Sequence, residues 1–265
     1  VLCIGASALA GGDRAGLFVL LFSLVFGAIG CADDLVKIKK KHNEGLTASQ
    51  KFLLQLAAAV AFISLLRYSG YLSPDLYVPF LNISLHLSWW LYTVFAAFAV
   101  VATVNAVNIT DGIDGLAAGV TIPVAVFYAA ASLLWGRTSL CIFASGLAGG
   151  LAGFLVYNFH PAKVFMGDTG SLFLGGAVCG LAFALDMPLI ILVVGVIYVA
   201  EVLSDVIQMA YFKATHGRRI FRMAPLHHHF EMGGWSEKKL FFVFSGITAV
   251  MCALAYLGVA GRYPY

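Results

Sequence analysis

Four short stretches carry the residues able to do chemistry: "CADDLVKIKKK" (31–41), "NAVNITDGIDGLAAG" (105–119), "YNFHPAKVFMGDTGS" (157–171) and "APLHHHFEMGGWSEKK" (224–239). In the first, Asp33 and Asp34 stand four and three residues before Lys37, a spacing that allows ion pairs along a helix. The plain reading is a polar helix end. Adjacent carboxylates beside an apolar helix are costly if buried, and they suit a divalent cation or phosphate chemistry. In the second, a continuous helix would put Asp111 and Asp114 on one face, preceded at spacing three by Asn105 and Asn108. Gly112 and Gly115 would let a ligand approach the backbone closely. The competing reading is a polar turn with Asp as a cap.

In the third stretch Asp168 precedes an apolar helix. It is either a charge suited to the helix start, with Thr169 or Ser171 as cap, or a ligand for Mg²⁺, which favours hard oxygen donors. Phe165 is either packing or a stacking surface for a nucleobase. In the fourth, His227, His228 and His229 are consecutive, so they do not converge on one zinc ion, and the run is internal. They read better as donors to phosphate, with Arg218, Arg219 and Arg222 adding positive charge. No P-loop, dinucleotide-binding glycine pattern or nucleophile elbow is present.

The elements that position these groups are membrane helices. Of 265 residues, 61% are hydrophobic and 11% charged, and the mean hydropathy is +0.93. Apolar runs without strand alternation predict an all-α polytopic membrane protein rather than a β-barrel. Spans are expected near 17–32, 52–67, 89–107, 116–135, 140–157, 171–185, 189–212 and 239–260. Residues 1–10 read as the end of a ninth. The chain begins with Val, so further N-terminal residues are expected before it. The segment 68–88 is expected to form a short external hairpin near 77–88. The five cysteines show no metal-type spacing.

By parity, the loops 33–51, 108–115, 158–170 and 213–238, with Lys239, share one side and hold 12 of the 16 Lys and Arg residues. The positive-inside rule makes that side cytoplasmic. All four chemical stretches then lie at one interface, as expected of a membrane enzyme with a soluble cosubstrate. A secondary transporter would place its ionisable groups nearer the midplane. No basic stripe lies on a soluble face, so no nucleic-acid partner is expected.

The order Asp-Asp, Asn-x-x-Asp-Gly-x-Asp-Gly and Phe-x-Gly-Asp resembles the polyprenyl-phosphate N-acetylhexosamine-1-phosphate transferase superfamily. "APLHHHFEMGGWSE" is similar to its phospho-N-acetylmuramoyl-pentapeptide transferase branch. The resemblance implies a single transmembrane transferase domain over residues 1–265, with about nine of ten transmembrane helices present. The first helix and a Gly-Thr-Pro-Thr-Met-Gly-Gly-type segment would precede it. The ninth helix, matched by 189–212, would be broken and splayed into the bilayer.

The implied reaction is Mg²⁺-dependent transfer of phospho-MurNAc-pentapeptide from UDP-MurNAc-pentapeptide to undecaprenyl phosphate, giving lipid I and UMP in peptidoglycan synthesis. It would run at the cytoplasmic face of the bacterial inner membrane. Implied partners are the lipid bilayer, a second copy in a homodimer, and nucleoside antibiotics directed at that branch. A relative acting on UDP-N-acetylglucosamine is the nearest alternative and differs most in the histidine loop. Motif by motif, Asp168 matches the Mg²⁺ ligand, and Asp33 and Asp34 match the pair near the lipid phosphate. Gly112, Ile113, Asp114 and Phe165 match the uridine pocket. Lys51, Asn105, Asn108, Asp111, Asn158, Gln208, His227, His228 and His229 match the polar cleft, with His227 beside the chemistry.

Overall fold

The structure is a computed structural model that describes residues 13–40 and 45–260. The end of a ninth span, expected at 1–10, lies outside those residues. Ten α-helices among the described residues run in the order α1 (Ala15–Lys40), α2 (Ala48–Tyr68), α3 (Trp89–Thr110), α4 (Leu116–Leu134), α5 (Thr138–Asn158), α6 (Gly167–Ala184), α7 (Ile191–Val194), α8 (Val196–Ala214), α9 (Leu226–Glu231) and α10 (Glu237–Val259). Among the described residues seven helices are long and apolar enough to cross a membrane. The pair Pro188–Val194 and Val196–Ala214 bends by 84°, and counted as one broken span it brings the number to eight. The polytopic all-α expectation holds, and the run 189–212 is broken at Gly195, where the helix turns away.

Between α2 and α3 the expected hairpin forms. Strand β1 (Asp75–Val78) pairs antiparallel with β2 (Ile83–His86), in the register Asp75 opposite His86. Its end of the bundle is tied by polar contacts. Ser73 donates to Asp186, Phe80 donates its amide to Gly258, and Asp13 accepts from Tyr71 and Ser139.

The centre of the bundle is α6, buried along nearly all its length. Lipid supplies no hydrophobic drive between helices, so close packing of small residues does the work. A side chain at Gly30 of α1 would collide with the backbone of Asp168, and one at Gly175 of α6 with the backbone of Val104 on α3. That contact at Gly30 brings the acidic end of α1 against the start of α6. At the same end α2 begins with a capping box, the Thr47 hydroxyl accepting from Gln50 and Gln50 reaching back to the Thr47 amide. This puts Lys51 in the first turn of α2, facing the same place.

Candidate active site

Asp33, Asp34, Lys37, Lys51, Asn108 and Asp168 come together from four helices at the end opposite the hairpin. Lys37 Nζ lies 2.7 Å from Asp33, 2.9 Å from Asp168 and 3.8 Å from Asp34. Lys51 Nζ lies 2.8 Å from Asp168 and 3.8 Å from Asp33. Asn108 donates to Asp168 at 2.9 Å and to Ser171 at 2.7 Å. Asp33 is 3% exposed and also accepts the Leu46 amide at 2.8 Å. Its carboxylate is therefore held on several sides. Asp34 has another use: it accepts the amide and the hydroxyl of Thr169, at 2.9 and 2.7 Å. It thus caps α6 from a neighbouring helix. Neither Thr169 nor Ser171 acts as N-cap. Helix α6 has no side-chain cap of its own, and Ser171 instead donates back to Gly167.

Asp33, Asp34 and Asp168 each offer an oxygen within 4.8 Å of the others. An oxygen-only set of carboxylates fits a hard divalent cation. The ammonium groups of Lys37 and Lys51 stand where the carboxylates call for positive charge, and they are equally suited to phosphate.

The segment after α3 departs from the helical expectation. Helix α3 ends at Thr110, Asp111 is its C-cap, and Gly115 has a φ of +74° before α4 starts. Asp111 and Asp114 therefore do not share a helix face. The turn separates them because α3 has already stopped at Thr110, with Asp111 outside it at ψ +42°, and α4 starts only after Gly115. Burial, with the Asp168 carboxylate nearby, pushes Asp111 up to about 7. Asp114 turns to the start of α10. Its carboxylate lies 3.0 Å from His160 Nδ1 and accepts the Ala162 amide at 2.9 Å, while its own amide donates to Glu237. Asp114, His160 and Glu237 form a second group of possible metal ligands among the described residues, this one with a histidine. Ile113 is packed against the core, and Phe165 is 72% exposed.

The histidine run forms the short helix α9, and its members diverge. His227 is 1% exposed and lies 3.0 Å through Nδ1 from Glu201 of α8. His228 lies 2.6 Å from Glu231, and His229 accepts the Arg222 amide. Gln208 pins the preceding loop, accepting the amides of Ile220 and Phe221 and donating to the Phe221 carbonyl. Asn158 donates to the Val164 carbonyl. Asn105 is not brought into the carboxylate group; it pairs with Gln55 and so ties α3 to α2.

In the sequence Lys37 is legible only as a local ion-pair partner, and Glu201, His160 and Glu237 do not stand out. The signal for Glu201 is a carboxylate inside the apolar run "VIYVAEVL", which is costly in a membrane helix. His160 and Glu237 carry no comparable mark.

The sequence profile of glycosyl transferase family 4 matches residues 17–186. Relatives called phospho-N-acetylmuramoyl-pentapeptide-transferase are similar over most of the chain. One from Clostridium acetobutylicum is 49% identical over 91% of this chain and 75% of its own length. One from Clostridium botulinum is 48% identical over 92% and 74%. One from Acetivibrio thermocellus is 45% identical over 96% and 77%.

Proposed function

The chain belongs to glycosyl transferase family 4 and, within it, to the phospho-N-acetylmuramoyl-pentapeptide-transferases, and from that premise we propose the reaction it runs and the residues that run it. It is a polytopic membrane enzyme of the glycosyl-phosphate transferase class. The donor is UDP-MurNAc-pentapeptide, the acceptor undecaprenyl phosphate, and the products lipid I and UMP, in peptidoglycan synthesis. The work is done by one transferase domain, on the cytoplasmic side of the bacterial inner membrane. A homodimer and nucleoside antibiotics are its further expected partners. The observation that carries this reading is the meeting of Asp33, Asp34 and Asp168 with Lys37 and Lys51 at one end of the bundle.

Asp168, with Asp33 and Asp34 in reach, would hold Mg²⁺. When bound, the cation supplies charge neutralisation for the diphosphate. Lys37 and Lys51 pair with phosphate oxygens and lower the repulsion between donor and acceptor. Phosphoryl transfer needs such positioning more than it needs a strong base. A phosphate monoester has a second pKa of about 6, so the lipid phosphate arrives largely ionised. One of its oxygens attacks the β-phosphorus, and a new P–O bond forms. The bond from that phosphorus to the bridging oxygen breaks, and the electron pair leaves on UMP. Asp33 is already engaged by Lys37 and the Leu46 amide, which suits an orienting role and favours direct attack over a covalent aspartyl intermediate.

Phe165, exposed beside Asp168, stacks the uracil, and the Gly112–Asp114 turn borders the uridine. An apolar groove of about 490 Å³, lined by Leu20, Phe143, Leu151, Phe154 and Phe173, ends at Met166 and Gly170, next to Thr169. That position suits the isoprenoid chain of the acceptor.

The test is UMP release by purified protein with Mg²⁺ and undecaprenyl phosphate, comparing UDP-MurNAc-pentapeptide with UDP-N-acetylglucosamine. Turnover with the first is expected. Turnover with the second alone moves the protein to the neighbouring specificity.

A further inference from the structure

A membrane helix that buries a carboxylate completely needs a reason for it, because burial without a partner is heavily penalised. Glu201 is such a group. It is 0% exposed in α8, and no Lys or Arg pairs with it among the described residues. Its side-chain partner is His227. One carboxylate receives two donors from that residue: the His227 amide, at 3.2 and 3.4 Å from the two oxygens, and ring Nδ1 at 3.0 Å.

Both Glu201 oxygens already accept from the His227 amide, and with the carboxylate accepting from the ring as well, Nδ1 carries the hydrogen and the tautomer is set. The ring then has one free nitrogen. His227 Nε2 is buried and has no hydrogen-bond partner among the described residues. It points at the turn after α3, where a side chain at Gly112 would fall on Nε2 itself. A buried ring nitrogen without a partner is costly, and native structures seldom leave one so without a functional reason. The bend at Gly195 contributes to this placement. It swings α8 so that Ile197, Tyr198, Glu201 and Ser204 form the stripe facing the bundle.

We infer that Glu201 is a positioning residue: it fixes the tautomer and angle of the His227 ring so that Nε2 is presented to the donor substrate beside the Asp111–Gly112 turn. This rests on the proposed reaction, and it adds to it a residue whose effect passes through another. A purely structural Glu201 would only tie α9 to α8.

The two roles separate in a double-mutant cycle on kcat/KM for UMP release, run in nanodiscs with Glu201→Gln, His227→Gln and the double variant. The Glu201→Gln change keeps the side-chain volume but offers one acceptor oxygen to two donors. It is expected to lose roughly 10- to 100-fold, the range for partners that orient a functional histidine. In the His227→Gln background the same change is expected to cost little more. A full multiplicative loss in the double variant, or wild-type kinetics in Glu201→Gln, overturns the proposal. An independent readout is ¹⁵N NMR of labelled histidine. The signal absent from His227→Gln should report hydrogen on Nδ1 in the wild type and a mixture of tautomers in Glu201→Gln. A wild-type ring with hydrogen on Nε2 alone overturns the proposal even if the variant does not fold. If the wild type releases no UMP from UDP-MurNAc-pentapeptide, the reaction fails while the tautomer result still stands or falls on its own.

Discussion

Asp168 accepts from Lys37, Lys51 and Asn108 at 2.8–2.9 Å, so its charge balances two ammonium groups at the point where phosphates are expected. In Asp168→Asn the neutral amide cannot do this. Mg²⁺-dependent UMP release should fall at least about a hundredfold, while the protein stays folded by circular dichroism. Full activity would remove the metal assignment. Asp111 makes a pH prediction. Its carboxyl is raised to about 7 in the folded protein, against about 3.9 in an unfolded chain. Between those values the folded state holds a proton that the unfolded state has lost, so stability falls as pH rises from about 4 to 7 and levels off above. Without divalent cations the thermal midpoint should decline between about pH 4 and 7, and Asp111→Asn should remove that decline. An unchanged slope in the variant would assign it to another group. For Phe165→Ala, nucleotide binding should weaken by about 1–3 kcal/mol if uracil stacks there. Calorimetry with UMP measures this, and an unchanged Kd would leave Phe165 without that role.

At the scale of elements, the site depends on how closely α1 lies against α6. A side chain at Gly30 would meet the Asp168 backbone, whereas one at Gly153 of α5 meets nothing within 4 Å. Gly30→Val should therefore force the helices apart at the carboxylates. Overpacking of this kind costs about 1–3 kcal/mol. It should lower both the thermal midpoint and UMP release, with Gly153→Ala as a neutral control. Equal behaviour of the two variants would show that the contact does not position the site. Helix α8 illustrates the opposite case. Its bend at Gly195 leaves Leu203, Val206, Met209 and Phe212 exposed. That apolar surface is what a helix splayed into lipid would present, and its buried stripe is what delivers Glu201.

At the scale of the whole molecule, the parity of the helices puts the hairpin and the carboxylate group at opposite ends. In a cysteine-free background, Asn82→Cys should react with an impermeant maleimide from outside intact cells, and Arg218→Cys only after the membrane is opened. Reversed labelling would invert the orientation drawn from the lysines and arginines. The amino-acid sequence by itself determined the medium, the all-α class, the spans and the hairpin, because apolar run length and turn residues are local properties set by bilayer thickness and backbone preference. It also marked Asp33, Asp34, Asn108, Asp111 and Asp168, since charge beside an apolar run is conspicuous. It could not show that α3 stops at Thr110, nor that Asp34 caps α6. It could not tell that Asn105 pairs with Gln55, or that Lys37, Glu201, His160 and Glu237 complete the polar groups. Those are pairings across tens to more than a hundred residues. Periodicity shows which side chains are costly to leave in lipid. Which partner relieves that cost is decided only when the helices pack, by their rotation, tilt and closest approach.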